Sequence, residues 1–193
     1  KRYADGWSLD ASLVWSDLQG NASWDLAGYV DDFQDANGFV NADGTLPYNS
    51  EWVLKLAASV DLPWDIMASG FYQYRTGEYW TPYVRMRDLW FNDRTSVYMT
   101  KRGTQQLDDR SFLDLRLEKS FGLGGGLELT VMIDAFNVLD EDKATSVETR
   151  WGDYFYYVGD HPAESEWVEN LNFGEELTFQ SPREIRLGAK LSF

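Results

Sequence analysis

The chain contains no cysteine, which excludes a disulfide framework and any thiolate metal site. Histidine is nearly absent too. His161 is the only one, and it stands in a turn-like Asp160-His161-Pro162. No Ser–His–Asp or Cys–His set assembles around it, so the sequence reads as a non-enzyme. Basic residues are scarce, 17 against 32 acidic ones, for a formal net charge of −15. That balance argues against nucleic acid as a partner. No run approaches the roughly 18 apolar residues that a membrane helix requires. The mean hydropathy of −0.45 would suggest a water-facing protein. Strict alternation of apolar and polar residues gives the same low average in a membrane barrel.

Aromatic residues, in contrast, are abundant: 9 Trp, 11 Tyr and 11 Phe. So is alternation. From Ile185 onward the odd positions are Ile185, Leu187, Ala189, Leu191 and Phe193, and the even ones are Arg186, Gly188, Lys190 and Ser192. Period two is the mark of a strand with one apolar and one polar face. Five more segments repeat it. Trp7, Leu9, Ala11, Leu13 and Trp15 share a face, as do Trp52, Leu54, Leu56, Ala58, Val60 and Leu62. A less regular third runs from Ile66 to Arg75. Leu113, Leu115, Leu117 and Phe121 form a fourth, and Leu127, Leu129, Val131 and Ile133 a fifth.

These patterns predict six long strands, near 7–17, 50–62, 65–76, 108–121, 125–138 and 183–193. Short connections (Pro63-Trp64-Asp65 and Gly122 to Gly126) alternate with long ones, roughly 18–50, 76–110 and 137–182. The expected fold is all-β: an antiparallel up-and-down meander forming part of a transmembrane β-barrel. It would have three long extracellular loops and short periplasmic turns. Ten to twelve residues at about 3.4 Å each, tilted near 45°, cover a hydrocarbon band of about 25 Å. Trp7, Trp15, Trp52, Trp64, Phe121 and Phe193 fall where interfacial aromatic girdles belong. Negative charge is concentrated in the expected loops. Residues 18–50 carry five acids and no base, and 139–182 carry eleven acids against Lys143 and Arg150. Neither an initiator Met nor a signal peptide opens the sequence, so the chain is expected to be a piece of something longer.

Several residue groups then acquire a family likeness. Leu107-Asp108-Asp109-Arg110 running on to Phe121, and the arm ending Ala135-Phe136-Asn137-Val138-Leu139-Asp140, resemble late strands of TonB-dependent outer-membrane receptors. Leu62-Pro63-Trp64-Asp65, leading into Tyr74-Arg75-Thr76-Gly77-Glu78, resembles the preceding turn and strand. The resemblance there is to the subgroup with a carboxypeptidase-regulatory-like N-terminal domain. Ser181 to Phe193 fits the end of that subgroup. The resemblance covers roughly 50–140 and 181–193. It implies that residues 1–193 are the C-terminal portion of such a barrel, with the plug and the remaining strands absent.

The parent would then be an outer-membrane receptor importing a siderophore, an oligosaccharide or a peptide. Its partners would be outer-membrane lipid, the rest of the barrel and its plug, the TonB complex through the missing N-terminal region, and the barrel-assembly machinery. Leu187, Leu191 and Phe193 would form the assembly signal. No cofactor is implied. Two rival readings are a small non-transporting outer-membrane barrel and a soluble carbohydrate-binding β-sandwich. The first would draw an extra hairpin from Gly28–Val30 and Phe39–Val40.

Candidate ligand-facing residues come from the loops. Tyr79, Trp80, Trp151, Tyr154 and Tyr156 offer aromatic faces, and Arg85 and Arg87 offer pairing for an anion. The same aromatics would serve equally to pack loops over a barrel mouth. Asp140-Glu141-Asp142, and Asp31-Asp32 with Asp35, are carboxylate clusters that offer oxygens for Ca²⁺ but lack EF-hand spacing, and the default reading is a solvated acidic loop. Asn21-Ala22-Ser23 matches a glycosylation sequon by chance.

Overall fold

The computed structural model describes residues 1–21, 36–89, 92–155 and 166–193. Along the chain, β1 (Trp7–Trp15) leads into a first loop. That loop holds the short pair β2 (Gln19–Gly20) and β3 (Gly44–Thr45) and a 3-10 turn at Ala36–Phe39. Next come β4 (Trp52–Leu62) and β5 (Ile66–Arg75). A second loop carries β6 (Tyr79–Trp80), β7 (Tyr83–Leu89), β8 (Asn92–Tyr98) and β9 (Gln105–Gln106). The hairpin β10 (Arg110–Gly124) and β11 (Leu127–Phe136) follows. A third loop contains β12 (Ala144–Val147), β13 (Arg150–Phe155), β14 (Glu166–Glu169) and β15 (Glu176–Phe179), and β16 (Glu184–Ser192) comes last.

The six long strands form one sheet in the order β1-β4-β5-β10-β11-β16, every neighbour antiparallel. This is the expected meander, and its bounds match the alternating segments to within a few residues. The register explains why the alternation is so clean. One complete row across the sheet is Trp7–Val60–Ala68–Leu117–Ile133–Leu187. The adjacent row, one residue along each strand and so on the opposite face, is Ser8–Ser59–Ser69–Arg116–Asp134–Arg186. A slip of one residue in any strand would put a polar group into the apolar row.

Both tight turns lie at one end of this sheet. Trp64 and Asp65 adopt positive φ, as do Gly125 and Gly126, which suits the right-handed twist of a hairpin. The second connection is shorter than the expected Gly122–Gly126. β10 continues to Gly124 past a register shift, leaving only Gly125 and Gly126 as the turn.

Burial is inverted relative to a water-soluble sheet. Leu13, Leu117, Ile133, Ile185 and Leu187 are exposed, Leu187 at 75%. Among the described residues the buried apolar set is only Ala42, Tyr83, Tyr98 and Ala144. The buried polar set is larger and includes Asn49, Ser50, Arg85, Arg102, Arg110, Asp134 and Asn137. The long sheet is thus held by backbone ladders and polar-face contacts. Arg116 and Asp134 make a bidentate, charge-assisted pair. Ser8 and Ser59 share a hydrogen bond of 2.6 Å. Lys119 is the one cation whose register puts it in an apolar row, between Ile66 and Val131. Its Nζ reaches back to donate to the Trp64 carbonyl at 2.8 Å, at the turn end. Long cationic side chains escape apolar surroundings in this way.

The loops have more structure than the sequence pattern indicated. β14-β13-β7-β8 form a second sheet, in which β13 and β7 pair in parallel and so join the second and third loops. This pairing lies outside the six long strands. Phe39 lies in the 3-10 turn and Val40 in the turn that follows it, so the described half of the extra hairpin considered for a small barrel is not a strand. Gly28–Val30, Asp31, Asp32, Asp35, Trp90, Phe91, Tyr156, Tyr157 and His161 lie outside the described residues.

Candidate functional site

At the loop end of the long sheet the polar face meets a network of part-buried charges around the buried Arg110. Glu78 Oε1 accepts from Arg75 Nη2 at 2.7 Å and Arg110 Nη2 at 3.3 Å. Ser50 Oγ accepts from the same Arg75 guanidinium. Asp109 accepts from the Gly77 N–H at 3.0 Å. Tyr79 donates its phenol to Glu51 at 2.6 Å, and this bond to a carboxylate, with burial adding to it, pushes the Tyr79 pKa up to about 12. The second loop is therefore fastened to the strand ends by charge and hydrogen bonds rather than by apolar packing.

The third loop is fastened likewise. Glu141 accepts from the backbone N–H and the hydroxyl of Ser111 at 2.9 and 2.7 Å. Asp140 pairs with Arg183 at 3.0 Å. Lys143 donates to Asp108 at 2.8 Å, which holds its ammonium pKa above the ordinary value. Two carboxylates of the Asp140-Glu141-Asp142 cluster are thus committed to loop contacts.

Between these fastenings lies a cavity of about 510 Å³ on the polar face. Its floor is Gln73, Arg75, Arg110, Phe112, Asp114 and Phe136, and the third loop closes over it with Asn137, Thr145 and Gln180 to Pro182. Three atoms on its lining residues are buried without a hydrogen-bond partner: Arg110 Nε, Asn137 Oδ1 and Gln180 Oε1. The amide orientations are set by their nitrogens. Asn137 Nδ2 donates to the Glu141 and Ser181 carbonyls at 2.9 and 2.8 Å, and Gln180 Nε2 donates to the Ser111 carbonyl at 3.1 Å. Each orphaned donor or acceptor costs about 1–3 kcal/mol.

The sequence-selected loop residues lie elsewhere, mostly in the second sheet. Arg85 and Arg87 are on β7, Trp151 and Tyr154 on β13, and the parallel pairing brings all four together. It also divides them. Tyr154 pairs with Met86 and Trp167 and shares their face, whereas Arg85 pairs with Asp153 on the other. The aromatic face holds an exposed apolar groove of about 430 Å³ lined by Val84, Met86, Met99, Trp151, Tyr154 and Trp167. Trp151 and Trp167 meet edge to face at 5.5 Å. Trp151 also neighbours Phe173, which in turn meets Trp80.

On the opposite face Asp153 gathers Arg87 at 2.8 Å, Arg150 at 3.2 Å and Arg85 at 4.0 Å. The anion facing these arginines is the protein's own. Tyr79 lies apart, bonded to Glu51, and Tyr156 lies outside the described residues. Leu187 is exposed near the middle of β16, and Leu191 and Phe193 are exposed at its turn end and just beyond it.

Sequence reasoning missed Asn137, Gln180 and Arg110. Each is a common polar residue at a strand end, with no spacing signal. Among the described residues no cluster of His, Cys, Asp or Glu is arranged to hold a metal ion. No family model and no curated protein matches the chain.

Proposed function

We propose that this chain is the C-terminal wall segment of a TonB-dependent outer-membrane receptor, a barrel that imports a scarce nutrient. The observation that carries the reading is the exposed apolar face of the six-stranded sheet, set against a polar opposite face. A strand that is apolar on one side and hydrated on the other is what a barrel wall between lipid and lumen requires. The wiring agrees: tight turns at one end, and long structured loops with most of the negative charge at the other.

In this reading the Trp15–Trp52 pair stands at the outer membrane interface, and Trp64, Phe121 and Phe193 stand at the periplasmic one. The free sides of β1 and β16 pair with strands of the parent barrel, because unpaired backbone groups are too costly in lipid. Leu187, Leu191 and Phe193 present the apolar surface that the assembly machinery grips. The rivals fit less well. A β-sandwich buries its apolar sheet face under a second sheet, yet Leu117 and Leu187 are open. A small self-contained barrel needs further spanning strands of about 9–11 residues. The described loop strands have seven residues or fewer.

Site-directed spin labelling of the parent barrel that carries this segment, in phosphatidylcholine vesicles, tests the reading. Labels at Leu113, Leu115, Leu117, Ile185, Leu187 and Leu191 should collide with a lipid-soluble relaxant. Labels at Asp114, Arg116 and Lys190 should respond to a water-soluble one. The opposite assignment, or water accessibility on both faces, would remove the membrane reading.

A further inference from the structure

We infer that the apolar groove on the aromatic face of the loop sheet is a binding site for a small quaternary ammonium cation, free in solution. The inference goes beyond the transport reading and takes from it only the parent barrel that carries the loops.

The groove holds about 430 Å³ between Val84, Met86, Met99, Trp151, Tyr154 and Trp167, and its surface is wholly apolar. That surface sets the first condition on an occupant. A hydroxyl, an amide, a primary ammonium or a guanidinium would give up hydrogen bonds to water there and find none in return. Sugars, peptides and basic side chains are disfavoured for that reason. A quaternary ammonium carries a positive charge and no N–H, so it leaves no donor unpaired.

The rings set the second condition. Trp151 and Trp167 meet at 5.5 Å with their planes at 64°, a corner rather than a parallel stack. The negative face of an aromatic ring attracts a cation, and Trp attracts it most strongly. Elsewhere the chain meets this attraction with its own side chains. Arg87 lies over Phe155 at 5.7 Å on the opposite face of the same sheet, Arg102 over Tyr98 at 4.8 Å and Arg186 over Phe136 at 5.0 Å. Among the described residues no cation of the chain lies over Trp151, Tyr154 or Trp167. Alternation has turned Arg85 and Arg87 away, toward Asp153.

Charge sets the third. Glu169 stands two residues after Trp167 on β14, so it shares the groove face, and it is exposed. Among the described residues it makes no ion pair. The third loop carries eleven acids against Lys143 and Arg150, and both bases are already paired, with Asp108 and Asp153. A cation entering the groove meets open ring faces and an unbalanced negative field. A neutral apolar molecule gains from neither, and an anion is repelled.

The test is equilibrium dialysis of the parent barrel carrying this segment, in an uncharged maltoside detergent, with labelled choline as the probe. Choline should bind saturably. Its uncharged isostere, with carbon in place of the ammonium nitrogen, should bind at least about tenfold more weakly, and so should ethanolamine. Trp151→Leu, which keeps apolar bulk and removes a ring face, should weaken choline about three- to tenfold and leave the isostere unchanged. Trp151→Phe should recover most of that loss. Glu169→Gln should weaken choline about twofold and reduce the salt dependence of binding. Trp64→Leu at the far turn should change nothing. Circular dichroism of each variant checks the fold.

An isostere that binds as well as choline would overturn the inference. So would choline binding indifferent to Trp151→Leu, or no choline binding by a folded barrel. Tighter binding of a short-chain phosphatidylcholine would make a lipid headgroup the occupant and overturn it too. The spin-label experiment separates this site from the transport reading. Lipid-accessible labels without choline binding would sink the site alone. Choline binding by a protein with lipid-inaccessible labels would sink the transport reading alone.

Discussion

In the long sheet, Leu117 and Leu187 stand open at 49% and 75% exposure while Asp134 is buried at 6%. In the loop sheet, Tyr83 and Tyr98 are buried while Glu166 and Glu169 are exposed. The two sheets lie in one chain and use the same backbone ladders, yet only the long sheet carries a continuous apolar row open to its surroundings on every strand. The loop sheet buries Tyr83 and Tyr98 from solvent beside Arg85, Thr95 and Ser96, and leaves Trp151, Trp167 and Val168 exposed on β13 and β14. The long sheet leaves its apolar area uncovered, so its stability has to be completed by whatever covers that face. Strand geometry alone therefore does not set the surroundings of a sheet. The direction in which its apolar rows point does.

The sharpest way to break this contrast is to place the same charge on each surface. Leu117→Arg puts a guanidinium in the middle of the six-strand apolar row. In a bilayer this should cost about 2–4 kcal/mol, the figure for a cation near the midplane of a barrel wall. Leu171→Arg, at an 87% exposed position just past β14, should change stability by no more than about 0.5 kcal/mol. Urea titration of the parent barrel carrying each substitution, folded in vesicles, measures both. Equal and small effects would mean that the long sheet's apolar face does not meet lipid.

A second substitution separates the sheets in the other direction. A Cβ built on Gly152 would lie 2.5 Å from Cη2 of Trp167 and 2.6 Å from the Val168 carbonyl oxygen. The glycine is there because β14 and its indole approach so closely. Gly152→Val should push β14 off β13 at a cost of about 1–3 kcal/mol, the usual penalty of overpacking. The damage should stay within the loop sheet. Hydrogen exchange should speed up for β13 and β14 and stay unchanged for β10 and β11. Loss of protection across both sheets would show that they unfold together.

The same contrast explains what could be read from the sequence. The six long strands were legible because each has one face for each surroundings, so period two persists over nine residues or more. Leu113, Leu115 and Leu117 announce a strand in any context. The loop strands are short, and their partners are remote. Arg85 finds Asp153 and Met86 finds Tyr154 through a parallel pairing of β7 with β13, and nothing local in either segment encodes it. Of the aromatic and arginine residues singled out, Arg85, Arg87, Trp151 and Tyr154 come together on β7 and β13. Alternation then sends Tyr154 and Arg85 to opposite faces, so they do not form one composite surface. The register shift between Arg150 and Gly152 further obscures the period around Trp151. The cavity residues were not legible at all. Asn137, Gln180 and Arg110 are ordinary polar residues that come to line one cavity only when three chain segments meet.

The smallest expected effect concerns the junction between the two sheets. Tyr79 donates to Glu51 at 2.6 Å and so ties the second loop to the start of β4. The bond needs the protonated phenol, because a phenolate facing a carboxylate repels it. Folding therefore raises the Tyr79 pKa from its ordinary 10.0 to about 12. The sign follows by linkage. Between those values the folded chain binds more proton than the unfolded one, so stability falls as pH rises. The contribution is complete below pH 10 and lost as pH passes about 12. It should be small, since a solvated pair of this kind is worth little. Tyr79→Phe should flatten that part of the stability profile and leave the profile below pH 10 parallel to the parent's. It should also delete one late-titrating phenol from the ultraviolet titration. If the variant's absorbance instead lost a phenol titrating at the ordinary value, the Glu51 bond would be absent in solution. The second loop would then be held by the Arg75–Glu78–Arg110 pairs without it.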